Sequence, residues 1–286
     1  MFLIADSGST KTEWALIDDG NVVQKILTKG FNPYYYRKDD FVSGLKTSLK
    51  GKFPFDKIEK IFFYGAGCSS VDNCSLVETS LKAVFSNAGI EVEHDLFAAG
   101  LALLGDNKGI ACILGTGSNS CLWENKKIID NVPSLGYMLG DEGSGTHIGK
   151  LLLKGILLGE AEEKLTKVFF KEFDLDFSKA LDKIYKESDP NLFYSSISPF
   201  ANKHIENAFC NFIVKQSFTK FIDRYISKYD GYQSIPVSFV GSVAFHFQGI
   251  LKVVLEDNNI TLGRILRDPM EGLIEYHIEN SIDLDL

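Results

Sequence analysis

The chain has 286 residues, 45% of them hydrophobic and 24% charged, with a mean hydropathy close to zero. This is the composition of a globular protein with ample apolar material for a core, and it excludes a disordered, collagenous or disulfide-scaffold chain. With 30 basic against 38 acidic residues the net charge is −8; nucleic acid is therefore not expected as a partner, whereas a nucleotide is still acceptable because backbone N–H groups and a metal ion can meet its charge locally.

At roughly 150 residues per domain, the length suggests about two domains. Phe2–Ala5 reads as a buried strand ending in a Gly/Ser turn, followed by strands at Glu13–Asp18 and Val22–Leu27. Asp18-Asp19-Gly20-Asn21 is a hairpin turn signal, so the three should form an antiparallel meander. A helix is expected over Lys38–Lys50, a strand over Ile58–Tyr64, a helix over Cys74–Asn87, a short strand over Glu91–Glu93 and a helix over Leu96–Leu104. The pattern then restarts: an apolar strand Gly109–Leu114, a Gly/Thr/Ser turn, a strand Asn119–Glu124, a turn at Asn125-Lys126-Lys127 and a strand Lys127–Asn131. Two openings alike in pattern argue for two α/β domains of one type, with a boundary near Gly105 and the default ligand site in the cleft between them. Farther along, helices are expected at Ser144–Glu160, Glu162–Glu172, Ser178–Lys186, Pro199–Lys228 and Phe245–Glu256, strands at Val237–Val240 and Leu262–Leu266, and a last helix at Pro269–Ile278.

The five cysteines, Cys68, Cys74, Cys112, Cys121 and Cys210, contain no CxxC pair, so neither a zinc ribbon nor a thioredoxin motif is present. Reduced thiols in a cytoplasmic protein are expected. The apolar stretch at the N-terminus is too short for a signal peptide, and no run of 18 apolar residues suggests a membrane partner.

Several segments can carry chemistry. In Asp6–Glu13 (DSGSTKTE) small residues lie directly between two strands. Such a loop lets backbone N–H groups approach a phosphate. Asp6 can hold Mg²⁺ through water, and Thr10 and Lys11 can bond phosphate oxygens; a tight hairpin with a polar tip is the simpler alternative. It is not a Walker loop, because GxxxxGKS/T is absent. The segment Leu114-Gly115-Thr116-Gly117-Ser118-Asn119-Ser120 is its counterpart in the second half, and two such loops in matching positions favour the clamping of a polyphosphate. The segment Gly136–Gly145 (GYMLGDEGSG) precedes an apolar helix; Asp141 and Ser144 suit a helix N-cap, while four glycines in ten residues suggest close approach of a ligand. His94-Asp95 stands at a strand-to-helix junction, where an N-cap aspartate is the simpler reading, and Gly30-Phe31-Asn32-Pro33 reads as a surface turn. Phe239–Val243 is a strand-to-helix turn that can lie against a nucleotide base.

Together these segments resemble the BadF/BadG/BcrA/BcrD-type ATPase family of the sugar kinase, Hsp70 and actin superfamily, and within it the N-acetylglucosamine kinase branch. The ordered set carries the resemblance: DSGSTKTEW at Asp6–Trp14, ILGTGSNS at Ile113–Ser120, GYMLGDEGSG at Gly136–Gly145, FVGSVA at Phe239–Ala244 and DPMEGLIEYH at Asp268–His277. It implies an α/β fold of two ribonuclease-H-like (actin-like ATPase) domains hinged around a central ATP and sugar cleft. The domains would span residues 1–105 and 106–268, with the last helix, about residues 269–286, returning to the first. It further implies that Asp6, Gly8, Ser9, Thr10 and Lys11 form the first phosphate motif, with Mg²⁺ near Asp6, and Gly115, Thr116, Gly117 and Ser118 the second. Gly241 and Ser242 would meet the adenosine. Asp95 would be the catalytic base, and Asn32, Thr116, Gly117, Gly136 and Asp141 would contact the amino sugar. The segment His94–Gly100 departs from the family pattern, since Leu96 and Phe97 stand where small residues are usual.

The expected reaction is phosphorylation of an amino sugar by ATP, foremost at the 6-hydroxyl of N-acetylglucosamine, with glucosamine, N-acetylmuramic acid and their anhydro forms as the alternatives that a few pocket side chains decide between. Two rivals are an ATPase that activates a redox partner through a shared iron–sulfur cluster, and a sugar or muropeptide sensor without turnover. The scattered cysteines disfavour the first, and the intact Asp6, Asp95 and phosphate loops disfavour the second. Oligomeric state is open, a homodimer being one alternative.

Overall fold

A computed structural model of the chain describes residues 1–8, 11–34 and 38–282. The chain divides into two compact units, Met1–Asp106 with Asp268–Leu286, and Asn107–Arg267. In the first, β1 (Phe2–Ser7), β2 (Lys11–Asp18) and β3 (Asn21–Lys29) form the antiparallel meander. They are followed by α1 (Lys38–Leu49), β4 (Lys60–Gly65), α2 (Val71–Lys82), β5 (Gly89–His94) and α3 (Asp95–Leu104). The sheet order is β3-β2-β1-β4-β5, with β4 parallel to β1 and β5 parallel to β4. Because β1 is central, Leu3, Ile4 and Ala5 are all fully buried, which is why it reads as an unbroken apolar run. The β2–β3 turn is Asp19-Gly20, with φ of 46° and 69°, the geometry whose twist suits a two-residue hairpin. Strand β3 is an exposed edge, and Lys25 and Lys29 along it discourage addition of a further strand. Helix α2 starts earlier than its periodicity predicts, because Ser70 caps it by accepting a hydrogen bond from the Asn73 N–H.

The second unit begins with β6 (Gly109–Leu114), β7 (Ser118–Glu124) and β8 (Lys127–Asp130). Six helices follow: α4 (Gly136–Leu139), α5 (Gly145–Leu157), α6 (Glu163–Phe173), α7 (Phe177–Tyr185), α8 (Pro190–Lys203) and α9 (Ala208–Arg224). The unit closes with β9 (Val237–Val240), α10 (Ser242–His246), α11 (Gln248–Asp257) and β10 (Leu262–Leu266). The order β10-β9-β6-β7-β8 repeats the first sheet strand for strand, with the same parallel and antiparallel pairings. The weak repeat of the sequence is thus a repeat of topology.

The single helix expected over Pro199–Lys228 is two helices. Pro190 starts α8 at a position where its missing N–H costs nothing. Pro199 lies inside α8, and the Ser195 carbonyl, which its N–H would otherwise reach, accepts instead from the Ser198 hydroxyl at 2.8 Å. Asn207 then caps α9, accepting from the Phe209 N–H. The helix expected over Phe245–Glu256 likewise divides at Phe247 into α10 and α11.

Last in the chain, α12 (Met270–Ile282) packs in the first unit against α3 and β1. A Cβ on Gly272 would come within 2.4 Å of the Ala102 carbonyl oxygen, so only glycine allows this approach. His277 of α12 stacks on Phe62 at 3.8 Å between ring centroids and is 2.7 Å from the Tyr64 hydroxyl. Burial pushes His277 down to about 4, so it is neutral near pH 7. Among the described residues no helix is long and apolar enough to cross a membrane.

Candidate active site

In the first unit β1, β4 and β5 run parallel, so Ser7, Gly65 and His94 end them at one edge, where β2 also begins. The carboxyl edge of parallel strands is where ligands bind in open α/β sheets. Asp6 lies there, with Glu13 paired across from it on β2. Burial raises Asp6 from 3.8 to about 7, helped by the charges of Asp95, Asp268 and Glu13 and opposed by Lys11. Four carboxylates therefore share one electrostatic environment. The N–H of Gly8 donates to the Lys11 carbonyl at 2.9 Å and closes the turn. Ser9 and Thr10, expected to meet phosphate, lie outside the described residues.

One residue of this edge, Ser7, carried no signal of its own as a site residue. The Ser7 hydroxyl is buried, 2.7 Å from the Thr12 hydroxyl, and it also bonds both the N–H and the carbonyl of Phe31. It thereby staples the loop carrying Asn32 to the end of β1. Asn32 is buried rather than part of an open surface turn; its side chain accepts from the Tyr34 N–H and lies against Gly67.

Asp95 differs from the expectation of an N-cap aspartate. The cap of α3 is His94, whose Nδ1 accepts from the Phe97 N–H at 3.2 Å, and Asp95 is the first helical residue. Its Oδ1 accepts from the Leu96 N–H at 2.9 Å. Burial raises its pKa, opposed by backbone hydrogen bonds. With capping delegated to His94, a partly buried carboxylate stands at the strand edge beside Asp6.

In the second unit the corresponding edge holds the β6–β7 turn and the β9–α10 turn. The N–H of Gly115 donates to the Gly117 carbonyl, and the N–H of Ser118 to Asp141 Oδ1 at 3.2 Å. The N–H groups of Thr116 and Gly117 have no partner among the described residues, and Thr116 is exposed. A turn with outward N–H groups and no large side chain can receive a phosphate. The Ser118 hydroxyl is buried without a partner among the described residues. Gly241 has φ of 126°, and a Cβ there would come within 2.3 Å of the Leu114 carbonyl, so the β9–α10 turn lies directly against the β6–β7 turn; Ser242 is exposed beside it.

Three of the four glycines of Gly136–Gly145 are required by close packing within the chain. A Cβ on Gly140 would meet the Tyr225 hydroxyl at 2.7 Å, on Gly143 the Phe221 side chain at 3.0 Å, and on Gly145 the Ser195 hydroxyl at 2.8 Å. Intramolecular packing accounts for these three; Gly136, with φ of 67°, faces open space. The first N–H groups of α5 are also occupied, Gly145 donating to the Gly115 carbonyl, Thr146 to that of Thr116 and His147 to the Ser144 hydroxyl. Asp141 is buried in a left-handed conformation, φ 60°, with its carboxylate against Gly117; burial raises its pKa, opposed by the Ser118 N–H and by Lys150.

Among the described residues no group of three or more His, Cys, Asp or Glu side chains is arranged to hold a metal ion. A hard cation that keeps much of its water and binds through one or two carboxylates and phosphate oxygens still suits Asp6, a donor among like charges. Four of the five cysteines are buried, and burial raises the thiol pKa of all five.

A crystal structure from Porphyromonas gingivalis is 38% identical to the chain, covering 98% of this chain and 100% of that one with a TM-score of 0.93. Another, from Chromobacterium violaceum, is 16% identical over 96% of this chain and 99% of that one, with a TM-score of 0.73. Each bears the name "putative N-acetylglucosamine kinase". The chain belongs to the N-acetylglucosamine kinase-like family and has the actin-like ATPase fold. A ROK family glucokinase from Streptomyces griseus, in complex with glucose and AMPPNP, shares the fold at 12% identity, covering 96% of each chain with a TM-score of 0.61. No protein-family model matches the chain, and no match is found among curated proteins.

Proposed function

We propose that the chain is an ATP-dependent sugar kinase that transfers the γ-phosphoryl group to the 6-hydroxyl of N-acetylglucosamine. Asp95 carries the reading. It is a carboxylate of raised pKa at the strand edge, and His94 relieves it of capping the helix. The 38% identity to the Porphyromonas gingivalis protein over nearly the whole chain supports the same class of activity.

Phosphoryl transfer asks little covalent chemistry of a protein, and positioning with charge stabilisation does most of the work. Asp95 would accept the proton of the attacking hydroxyl, orienting its oxygen at about 2.6–3.2 Å. The Thr116 and Gly117 N–H groups, with the loop from Gly8 to Lys11, would hold phosphate oxygens and stabilise charge on the transferring group. Gly241 and Ser242 would lie against the adenosine. Asn32, Thr116, Gly117, Gly136 and Asp141 would contact the sugar. Asp6 would hold magnesium through water, and the ion would supply charge neutralisation for the phosphates. Such a kinase would act in the cytoplasm, where ATP is available.

The test is ADP release measured with each of a panel of amino sugars and with none. ADP should form only with an acceptor, and N-acetyl-6-deoxyglucosamine should fail as one. Equal release with and without every sugar would refute the reading, and turnover of the 6-deoxy sugar would refute the 6-hydroxyl as acceptor.

A further inference from the structure

Helix α4 is four residues long and is held by little apolar packing. Leu135 before it and Met138 and Leu139 within it are 58%, 75% and 75% exposed. Its flanks are fixed from elsewhere, by the Ser134 hydroxyl on the Ser118 carbonyl and by the Asp141 carboxylate on the Ser118 N–H. Among the described residues, the hydrogen bond that reaches α4 itself from another element comes from Lys150, whose Nζ donates to the Tyr137 carbonyl. The same ammonium lies 5.4 Å from the Tyr137 ring centroid and 5.9 Å from that of Tyr194 on α8. Lys150 therefore joins α5, α4 and α8 through one cation, whose contact with two ring faces and a carbonyl is stronger for being half-buried.

We propose that Lys150 is a positioning residue for the sugar: by gripping Tyr137 it holds the segment Gly136–Asp141 in the conformation that contacts the substrate. The inference rests on the sugar-kinase reading for its substrate and on the geometry alone for the grip. Lys150 also bears on Asp141 directly, since its charge opposes the upward shift that burial imposes on that carboxylate.

The experiment compares Lys150→Met, which keeps the length and loses the charge and donors, with Lys150→Arg, which keeps both. Amide hydrogen exchange across residues 135–142 is measured in the unliganded proteins, together with kcat and the two KM values. A hydrogen bond from a charged donor corresponds to about tenfold or more in an equilibrium. The Met variant should therefore exchange about tenfold faster there and bind the sugar with a KM raised about tenfold, with kcat and the KM for ATP within about twofold of wild type. The Arg variant should restore both readouts. Unchanged exchange in the Met variant overturns the grip, and an unchanged sugar KM overturns the positioning role. A lowered kcat with both KM values raised alike and a lowered Tm overturns it in favour of a general structural role. Were the wild type to phosphorylate no sugar, the kinase reading would fail, yet exchange would still decide the grip: faster in Met alone sustains it, equal in all three refutes it.

Discussion

Replacing Gly149 by alanine is expected to destabilise the second unit, although alanine is the better helix former. An ideal Cβ at Gly149 would sit 1.9 Å from the Tyr194 carbonyl oxygen and 2.6 Å from its carbon, where ordinary contact is 3.4–4 Å. The obstacle is main chain, so no side-chain rotation relieves it, and α5 and α8 must move apart. Overpacking of this kind costs about 1–3 kcal/mol, and a backbone clash belongs at the upper end. The gain in helix propensity returns about 1 kcal/mol. A net loss of about 2 kcal/mol follows, which for a unit of this size lowers Tm by about 4–8 °C. Gly249 on α11 is the control, because a Cβ there would meet nothing within 4 Å. The same substitution at Gly249 should be neutral or stabilising by up to about 1 kcal/mol. Calorimetry and urea denaturation of both variants give the comparison. A Gly149→Ala protein as stable as wild type would refute the tight approach of α5 to α8. Such a shift would also disturb the β6–β7 turn, on whose carbonyls the first N–H groups of α5 rest.

Asp95→Asn should leave ATP binding intact and lower turnover at least ~10²-fold, the lower end for loss of a general base; near-normal turnover would remove Asp95 from that role. Asp6 is raised from 3.8 to about 7, so between those values the folded chain keeps a proton that the unfolded chain has lost. Without metal, stability should therefore fall as pH rises from about 4 to about 7, and Asp6→Asn should flatten that fall. Parallel pH profiles of urea denaturation for the two proteins would contradict this. Ser7→Ala removes the buried hydroxyl that accepts from the Phe31 N–H and bonds the Thr12 hydroxyl, a loss of about 1–3 kcal/mol. It also frees the loop bearing Asn32, so the KM for the sugar should rise more than that for ATP. Unchanged stability and unchanged KM would show that the staple is not needed.

What could be read from the chain alone was whatever depends on neighbours in sequence. The Asp19-Gly20 and Asn125-Lys126 turns follow from Asp19, Gly20 and Asn125, which accept positive φ readily, and the observed angles are positive there and at Lys126 as well. The apolar runs of β6 and β9 reflect strands covered on both faces, and the matching Gly/Ser/Thr loops after β1 and β6 marked the edges where the candidate residues gather. Asp6 and Asp95 were legible as carboxylates at strand ends for the same reason.

Only the tertiary structure decided what those residues are bonded to. Whether Asp95 or His94 caps α3 is a choice between adjacent groups that sequence cannot make. Pro199 reads locally as a helix start, because nothing near it in sequence shows that the Ser198 hydroxyl bonds the Ser195 carbonyl. The glycines at 140, 143 and 145 suggested a ligand, but their close neighbours are Tyr225, Phe221 and Ser195. Ser7 and Lys150 carried no signal because Phe31 and Tyr194 reach them from distant parts of the chain. A glycine announces that something comes close; which backbone, side chain or ligand arrives is set by the packing of elements far apart in sequence.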